Sequence, residues 1–250
     1  MKEKWIVVTG ASSGIGKATA IYLLENNYSV VVTSRNKEAL KNIFKNYNDK
    51  QLKIIEWDLS ELDSIKEYAK SINAAVGEIS GLVHCAGLQK MSPIHMIKPD
   101  KILEVFNINT FSAMLLVGAF SKKNMYINNK TSYVLISSIS AHTGADGNSI
   151  YSSSKGALEG FIKGVSCELA EKGIRINSIV PGRVQTPMVE KFMSSLSEND
   201  FQKSKEEYPL GWGNPENVAE IIEFFLSDKS KWITGQNIII DGGHTVRTSR

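Results

Sequence analysis

The chain alternates between two hydrophobic periods. Seven short runs of mainly aliphatic and β-branched residues recur along it: Trp5–Thr9, Ser29–Thr33, Leu52–Glu56, Gly81–His84, Tyr133–Ile136, Ile174–Ile179 and Asn237–Ile240. Most are apolar on both faces, the pattern of strands covered on both sides. Between them lie stretches with helical spacing. Lys17–Glu25 puts Ala18, Ile21, Tyr22 and Leu24 on one stripe. Glu61–Ala75 puts Leu62, Ile65, Tyr68, Ala69 and Ile72 on another, with Ser60 placed to cap it. Proline is absent from Asp100 to Val180, which leaves room for long helices over 100–125 and 151–171. Strand and helix alternating in this way predict parallel strands joined by crossovers. The expected fold is a doubly wound α/β sheet of about seven strands, helices on both faces, in one domain over 1–250.

Composition narrows the function classes. Over 250 residues, 29 Lys and Arg against 26 Asp and Glu give net +3, with no basic block. That argues against a nucleic-acid partner. With 42% hydrophobic and 22% charged residues, a sizeable core is available. No apolar run exceeds five residues, so no membrane helix is expected, and Trp5–Val8 is too short for a signal-peptide core. Cys85 and Cys167 stand at no metal-like spacing, so neither a disulfide framework nor a metal site is expected. A soluble cytoplasmic protein is the expectation.

The first strand runs into Gly10-Ala-Ser12-Ser13-Gly14-Ile15-Gly16 and then a helix. Gly10 permits a tight turn, Gly14 lets backbone N–H groups approach a pyrophosphate, and Gly16 allows close helix packing. The helix N-terminus adds partial positive charge. No Gly-Lys-Ser/Thr follows, so the turn is not a P-loop. The second strand ends Thr33-Ser34-Arg35-Asn36, with no acid between Asn26 and Lys37. An acid there would take the ribose 2′-hydroxyl of NAD; an arginine suits a 2′-phosphate, so NADP(H) is favoured.

Tyr151-Ser-Ser-Ser-Lys155 opens a helical segment, and the spacing of four puts phenol and ammonium on one face. An ammonium beside a phenol lowers its pKa and suits it to acid–base work. Ser137-Ser138 ends an apolar strand, on the side of a parallel sheet where ligands bind, so Ser138 and Tyr151 are expected to converge.

Taken together these residues resemble the short-chain dehydrogenase/reductase superfamily, in its single-domain, Rossmann-type branch. Thr9–Gly16 fits the family's T-G-x-x-x-G-x-G, and Asp58-Leu59 its adenine-contacting acid. Cys85-Ala86-Gly87 fits the N-A-G turn, Pro181-Gly182-Arg183-Val184-Gln185-Thr186 fits P-G-x-x-x-T, and Asn109, Ser138, Tyr151 and Lys155 fit the catalytic residues. Thr234-Gly235-Gln236 and Asp241-Gly242-Gly243 fit the C-terminal signature.

The resemblance implies hydride exchange between a nicotinamide and a carbonyl or secondary alcohol. Tyr151 is then the proton donor, Ser138 the hydrogen-bond partner of the carbonyl oxygen, and Lys155 the ribose ligand. Asn109 holds a water that links Lys155 to solvent, and Val184 and Thr186 position the carboxamide. The sequence departs from the family at His84-Cys85, where N-N is usual. His84 reads as a satisfied core histidine. His142, in the loop 139–150, is the better functional candidate, though a plain loop histidine is the simpler reading. Glu67, Glu78, Glu104, Lys122 and Lys123 read as solvated helix faces.

The stretch 187–212 carries Met188, Val189, Phe192, Met193, Leu196 and Phe201 in an amphipathic pattern and is expected to act as a substrate lid. The run Tyr208–Ala219 resembles that of 3-oxoacyl-carrier-protein reductases, which act in fatty acid biosynthesis. An acyl carrier protein is thus a possible partner, with Lys172 and Lys130 as candidate cations. Sugar, polyol and other small-alcohol dehydrogenases share the motifs, and a non-catalytic NADP-binding protein is the poorer alternative because Tyr151 and Lys155 are intact. A homotetramer is expected from surplus apolar positions on 100–125 and 151–171 and from the terminal segment with Trp232, Ile233 and Ile238–Ile240.

Overall fold

The computed structural model describes residues 4–193 and 197–247. Seven strands form one parallel sheet: β1 (Trp5–Thr9), β2 (Ser29–Ser34), β3 (Leu52–Glu56), β4 (Gly81–His84), β5 (Thr131–Ile136), β6 (Ile174–Pro181) and β7 (Asn237–Ile240). Their order is β3-β2-β1-β4-β5-β6-β7. The winding reverses between β1 and β4, which opens a crevice at the carboxyl ends of the strands. The sequence places every strand, but β2, β5 and β6 run one to two residues longer.

The strands divide their side chains by period two between two cores. From β1, Trp5 and Val7 enter one core with α3 (Ile65–Val76), α5 (Ser112–Phe120) and α6 (Ser149–Glu171). Ile6 and Val8 enter the other, with α1 (Gly14–Glu25), α2 (Lys37–Ile43) and α9 (Pro215–Leu226). Each fully buried Val, Ile or Leu contributes about 1.5–3 kcal/mol. This two-sided burial holds the strand ends, and the loops they carry, in register.

Three expectations about helices are corrected. In α1 Ala18 and Leu24 are buried as expected, but Ile21 and Tyr22 are only half-buried, and Thr19, Ala20 and Leu23 are fully buried instead, because the helix leans on α9 as well as on the sheet. Ser60 does not cap α3; its N–H and hydroxyl both bind Asp58 Oδ1, at 2.9 and 2.7 Å, and a 3₁₀ turn at Leu62–Ser64 intervenes. The stretch 100–125 is not one helix. It is α4 (Pro99–Phe106), a π-helical turn at Asn107–Phe111, and α5, which ends at Phe120. Within the turn the Ser112 hydroxyl donates to Ile108 O at 2.7 Å, a side-chain bond that competes with the helical ladder. Pro99–Phe120 is long and apolar enough to cross a membrane, yet Ala113, Leu116, Val117 and Phe120 are core residues against the sheet.

Candidate active site

A cleft of about 920 Å³ runs along the carboxyl ends of the strands. Its walls hold Gly10, residues 12–16, Ser34, Arg35, Asp58, Leu59, residues 85–87, Ser138, Tyr151, Lys155, Pro181, Gly182, Val184 and Thr186. Of the predicted catalytic and cofactor-binding residues, Asn109 alone stands behind the wall, fully buried.

The floor is built by the turn after β1. Gly10 has φ +66°, and a Cβ there would lie 2.8 Å from Ala86 N and 2.9 Å from the Cys85 carbonyl carbon. A Cβ on Gly16 would lie 2.4 Å from Gly10 O. The turn therefore closes only with glycine at both positions. Ser13, extended at φ −162°, leads into α1 and leaves the helix N-terminus facing the cleft. Thr186 covers the same turn, its methyl 3.2 Å from where a Gly14 Cβ would stand.

At one end Arg35 and Asp58 face each other across the tips of β2 and β3. Burial works against the Asp58 charge, but the two Ser60 bonds and Arg35 prevail and hold the carboxyl below its usual range.

The chemical centre lies past β4 and β5. Lys155 is 4% exposed and donates from Nζ to Ile136 O at 2.7 Å; Nζ stands 5.7 Å from the Tyr151 ring centre. Burial lowers its pKa to about 8. Burial also pushes the Tyr151 phenol up to about 12, with the Ser138 hydroxyl pulling the other way. This departs from the expected lowering: burial outweighs the Ser138 hydrogen bond, and the Lys155 ammonium is turned toward the Ile136 carbonyl.

Asn109 spends both amide hydrogens, on Leu88 O (3.0 Å) and Ser154 Oγ (2.9 Å), and its Oδ1 accepts from Leu88 N at 2.7 Å. The π turn thereby ties the 87–88 loop to α6. Gly87 backs onto both Asn109 Oδ1 and Lys155 Nζ, which a Cβ would approach to 3.5 and 3.6 Å.

His84 is a core histidine, as its sequence position suggests. Nε2 faces Ile108 O at 3.2 Å, and a carbonyl only accepts, so Nε2 carries the proton. Nδ1 then accepts from the Thr9 hydroxyl at 3.1 Å, and Thr9 Oγ1 accepts from Ala86 N at 3.2 Å. The ring joins β1, β4 and the π turn. Its burial, reinforced by the Lys155 charge, drops the pKa to about 3. Burial likewise pushes the Cys85 thiol up to about 12 and keeps it protonated.

His142 is not among the cleft-lining residues. Its Nε2 lies 3.0 Å from Glu159 Oε2, and Ser137 Oγ donates to Glu159 Oε1 at 2.7 Å. Glu159, one turn past Lys155, so pins the end of β5 and the following loop to α6. Glu104, expected on a solvated face, pairs with Lys90 and lines the cleft. Lys122 and Lys123 follow α5 rather than ride on it, and Glu78 lies past α3.

Several lining residues escape the sequence reading. Gln89 Nε2 donates to Asn148 Oδ1 (2.9 Å), Asn148 Nδ2 to Ser140 Oγ (3.2 Å), and Ser140 N to Ser138 Oγ (3.2 Å). On the far wall stand Arg183, Tyr208 and His244; beside them Met188 and Val189 of α7 (Pro187–Met193), both expected in the lid, line the cleft. Phe201, expected in the lid, instead packs edge-on to Trp212 at 5.3 Å, from α8 (Glu198–Glu206). Leu196 and the side chains of Phe192 and Met193 lie outside the described residues.

Comparison with known proteins agrees with this architecture. A family model described as enoyl-(acyl carrier protein) reductase matches residues 10–245. The 3-oxoacyl-[acyl-carrier-protein] reductase of Thermotoga maritima is 33% identical over 251 residues, covering 97% of this chain and 98% of its own. Two solved structures each cover 98% of this chain and 100% of their own. One, 4-hydroxyisoleucine dehydrogenase complexed with NADH, has a TM-score of 0.89 at 29% identity; the other, ElxO with NADP bound, has 0.86 at 27%. With these matches along nearly its whole length, the chain belongs to the short-chain dehydrogenase/reductase family of oxidoreductases, which act on CH–OH and C=O groups with a nicotinamide cofactor.

Proposed function

We propose that the protein is an NADPH-dependent ketoreductase. The observation that carries this reading is the convergence of Ser138, Tyr151 and Lys155 on one cleft that also holds the Gly10–Gly16 turn. The protonated phenol stands where it can give its proton to the oxygen of a ketone as hydride arrives at the carbon.

The cleft fits the cofactor. The Gly10–Gly16 turn has no space for side chains at Gly10 and Gly16, so backbone N–H groups and the α1 N-terminus face a pyrophosphate. Asp58 and Leu59 would take the adenine end, and Ser34 and Arg35 would meet the 2′-phosphate. Cys85, Ala86 and Gly87 would contact it through backbone, Lys155 would hold the second ribose, and Pro181, Gly182, Val184 and Thr186 would frame the carboxamide. Bound NADPH supplies the hydride to the carbonyl carbon.

The chain supplies the rest. Ser138 holds the carbonyl oxygen, itself oriented by Ser140. Tyr151 gives its phenolic proton to that oxygen. The phenolate left behind is stabilised by Lys155, and Asn109 fixes the loop and helix that hold both. With both amide hydrogens spent, the Asn109 side chain has only its Oδ1 acceptor left to offer a relay water.

Two substrate classes suit this chemistry. The Thermotoga maritima relative supports a 3-oxoacyl thioester, with an acyl carrier protein as partner. Lys172, one of the cations expected to meet that carrier, is shared with Glu168 at 3.4 Å. The 4-hydroxyisoleucine dehydrogenase neighbour supports a small oxo or hydroxy compound. NADPH oxidation with 3-oxoacyl thioesters, diketones, ketoses and oxo acids, and NADP⁺ reduction with polyols, ranks them. Turnover of a ketone with NADPH is the expected result, and no turnover across the panel overturns the reading.

We further propose a homotetramer. Ile102, Leu103 and Leu115 are exposed on α4 and α5, and Trp232 is 97% exposed near β7, where two separate contacts between copies would cover them.

A further inference from the structure

The far wall of the cleft holds a cation without a hydrogen-bonded partner. A guanidinium carries five N–H donors, yet Arg183 makes no side-chain hydrogen bond among the described residues. Its Nη1 is buried, and the nearest carboxylate, Glu207, stands 4.0 Å from it, beyond hydrogen-bond reach. A buried donor left unmade is costly, so such a group marks a place where something else accepts.

The guanidinium is also held in place. It lies 5.9 Å from the ring centres of both Tyr208 and Trp212. The backbone beneath is fastened, with Gly213 N donating to Arg183 O at 2.9 Å and Arg183 N to Tyr208 Oη at 3.3 Å. Tyr208 in turn stacks on His244, ring centres 4.5 Å apart. A fork fixed between aromatic faces loses little freedom when it binds.

Position separates Arg183 from the phosphate end. The glycine turn follows β1 and Arg35 follows β2, whereas Arg183 follows β6, on the opposite side of Ser138 and β5. Thr186, not Arg183, is the residue of that segment lying over Gly14.

We infer that Arg183 receives a carboxylate carried by the substrate, so that the reacting ketone belongs to an oxo acid. The inference rests on the ketoreductase reading and narrows its substrate. A free carboxylate takes the guanidinium fork by two parallel bonds. A neutral ester or thioester offers a carbonyl acceptor but neither the negative charge nor the matched pair of oxygens, so the fork is only half used.

The test is calorimetric titration of the enzyme saturated with NADP⁺, where a ketone binds without turnover. The probes are 2-oxobutanoate, 3-oxobutanoate and their methyl esters, against wild type, Arg183→Gln and Arg183→Lys. At least one acid is expected to bind ten-fold or more tightly than its ester. Arg183→Gln should abolish that preference and leave NADP⁺ affinity unchanged, while Arg183→Lys keeps part of it. Esters binding as well as acids, no acid saturating below about 10 mM (a Kd weaker than some 3 kcal/mol), or a preference that survives Arg183→Gln overturns the inference. The wild-type acid-to-ester ratio stands even if a variant fails to fold. Reduction of esters but not acids by NADPH faults this inference alone; binding of acids with no ketone reduced faults the activity alone.

Discussion

Replacing His84 with asparagine, the residue the family places there, should remove an acid-sensitive contribution to stability. The folded protein holds the ring neutral, with a pKa of about 3 against 6.5 for a free histidine. Below pH 6.5 the unfolded chain therefore takes up a proton that the folded chain refuses, and stability falls with pH. The contribution is intact above 6.5 and is lost progressively down to about 3. At pH 5 the loss is about 2 kcal/mol, from 1.36 kcal/mol per unit over the roughly 1.5 units separating pH 5 from 6.5. Urea unfolding of wild type and His84→Asn at pH 7 and pH 5 checks it. Each variant is compared with itself across pH, so the hydrogen bonds lost to Thr9 and Ile108 cancel. Wild type should lose about 2 kcal/mol more than the variant between the two pH values. Equal losses would refute the neutral, doubly bonded ring.

Arg35→Ala should weaken NADPH binding by about 1–3 kcal/mol and leave NADH nearly untouched, the scale of a lost charged hydrogen bond; fluorescence titration of both cofactors reads it, and equal losses remove Arg35 from the 2′-phosphate. Gly16→Ala forces a Cβ to 2.4 Å from Gly10 O, so the turn must open. Calorimetry should find NADPH affinity reduced at least ten-fold, and an unchanged affinity contradicts the close turn. Light scattering at micromolar concentration should give four times 27.6 kDa; a mass near one chain refutes the tetramer.

The sheet was legible because its signal is local. Runs such as Trp5–Thr9 and Gly81–His84 are buried on both faces, and their composition states that directly. The cofactor end was legible for a related reason: the turn tolerates only glycine at Gly10 and Gly16, and steric demands leave a mark in sequence. What depends on meetings between distant segments was not. The π turn goes with the Ser112 hydroxyl on Ile108 O and with Asn109 bonded to Ser154 of α6, neither of which alters helical periodicity. Ser60 has the chemistry of a cap and found a carboxylate instead. Arg183 occupies a variable position of its motif, and its partners Tyr208, Trp212 and His244 lie far along the chain, so nothing local marks it. The direction of the Tyr151 shift was misread because spacing gives proximity to Lys155 but not where the ammonium points.

Tyr151→Phe removes one hydroxyl and nothing else from the cleft. Measured as the single-turnover rate of NADPH oxidation with the best ketone of the panel, alongside NADPH affinity, it isolates the proton transfer. The rate should fall by about 10²–10⁴-fold or more with affinity nearly unchanged. A variant that keeps more than about a tenth of the wild-type rate contradicts Tyr151 as the acid, and with it the proposed mechanism.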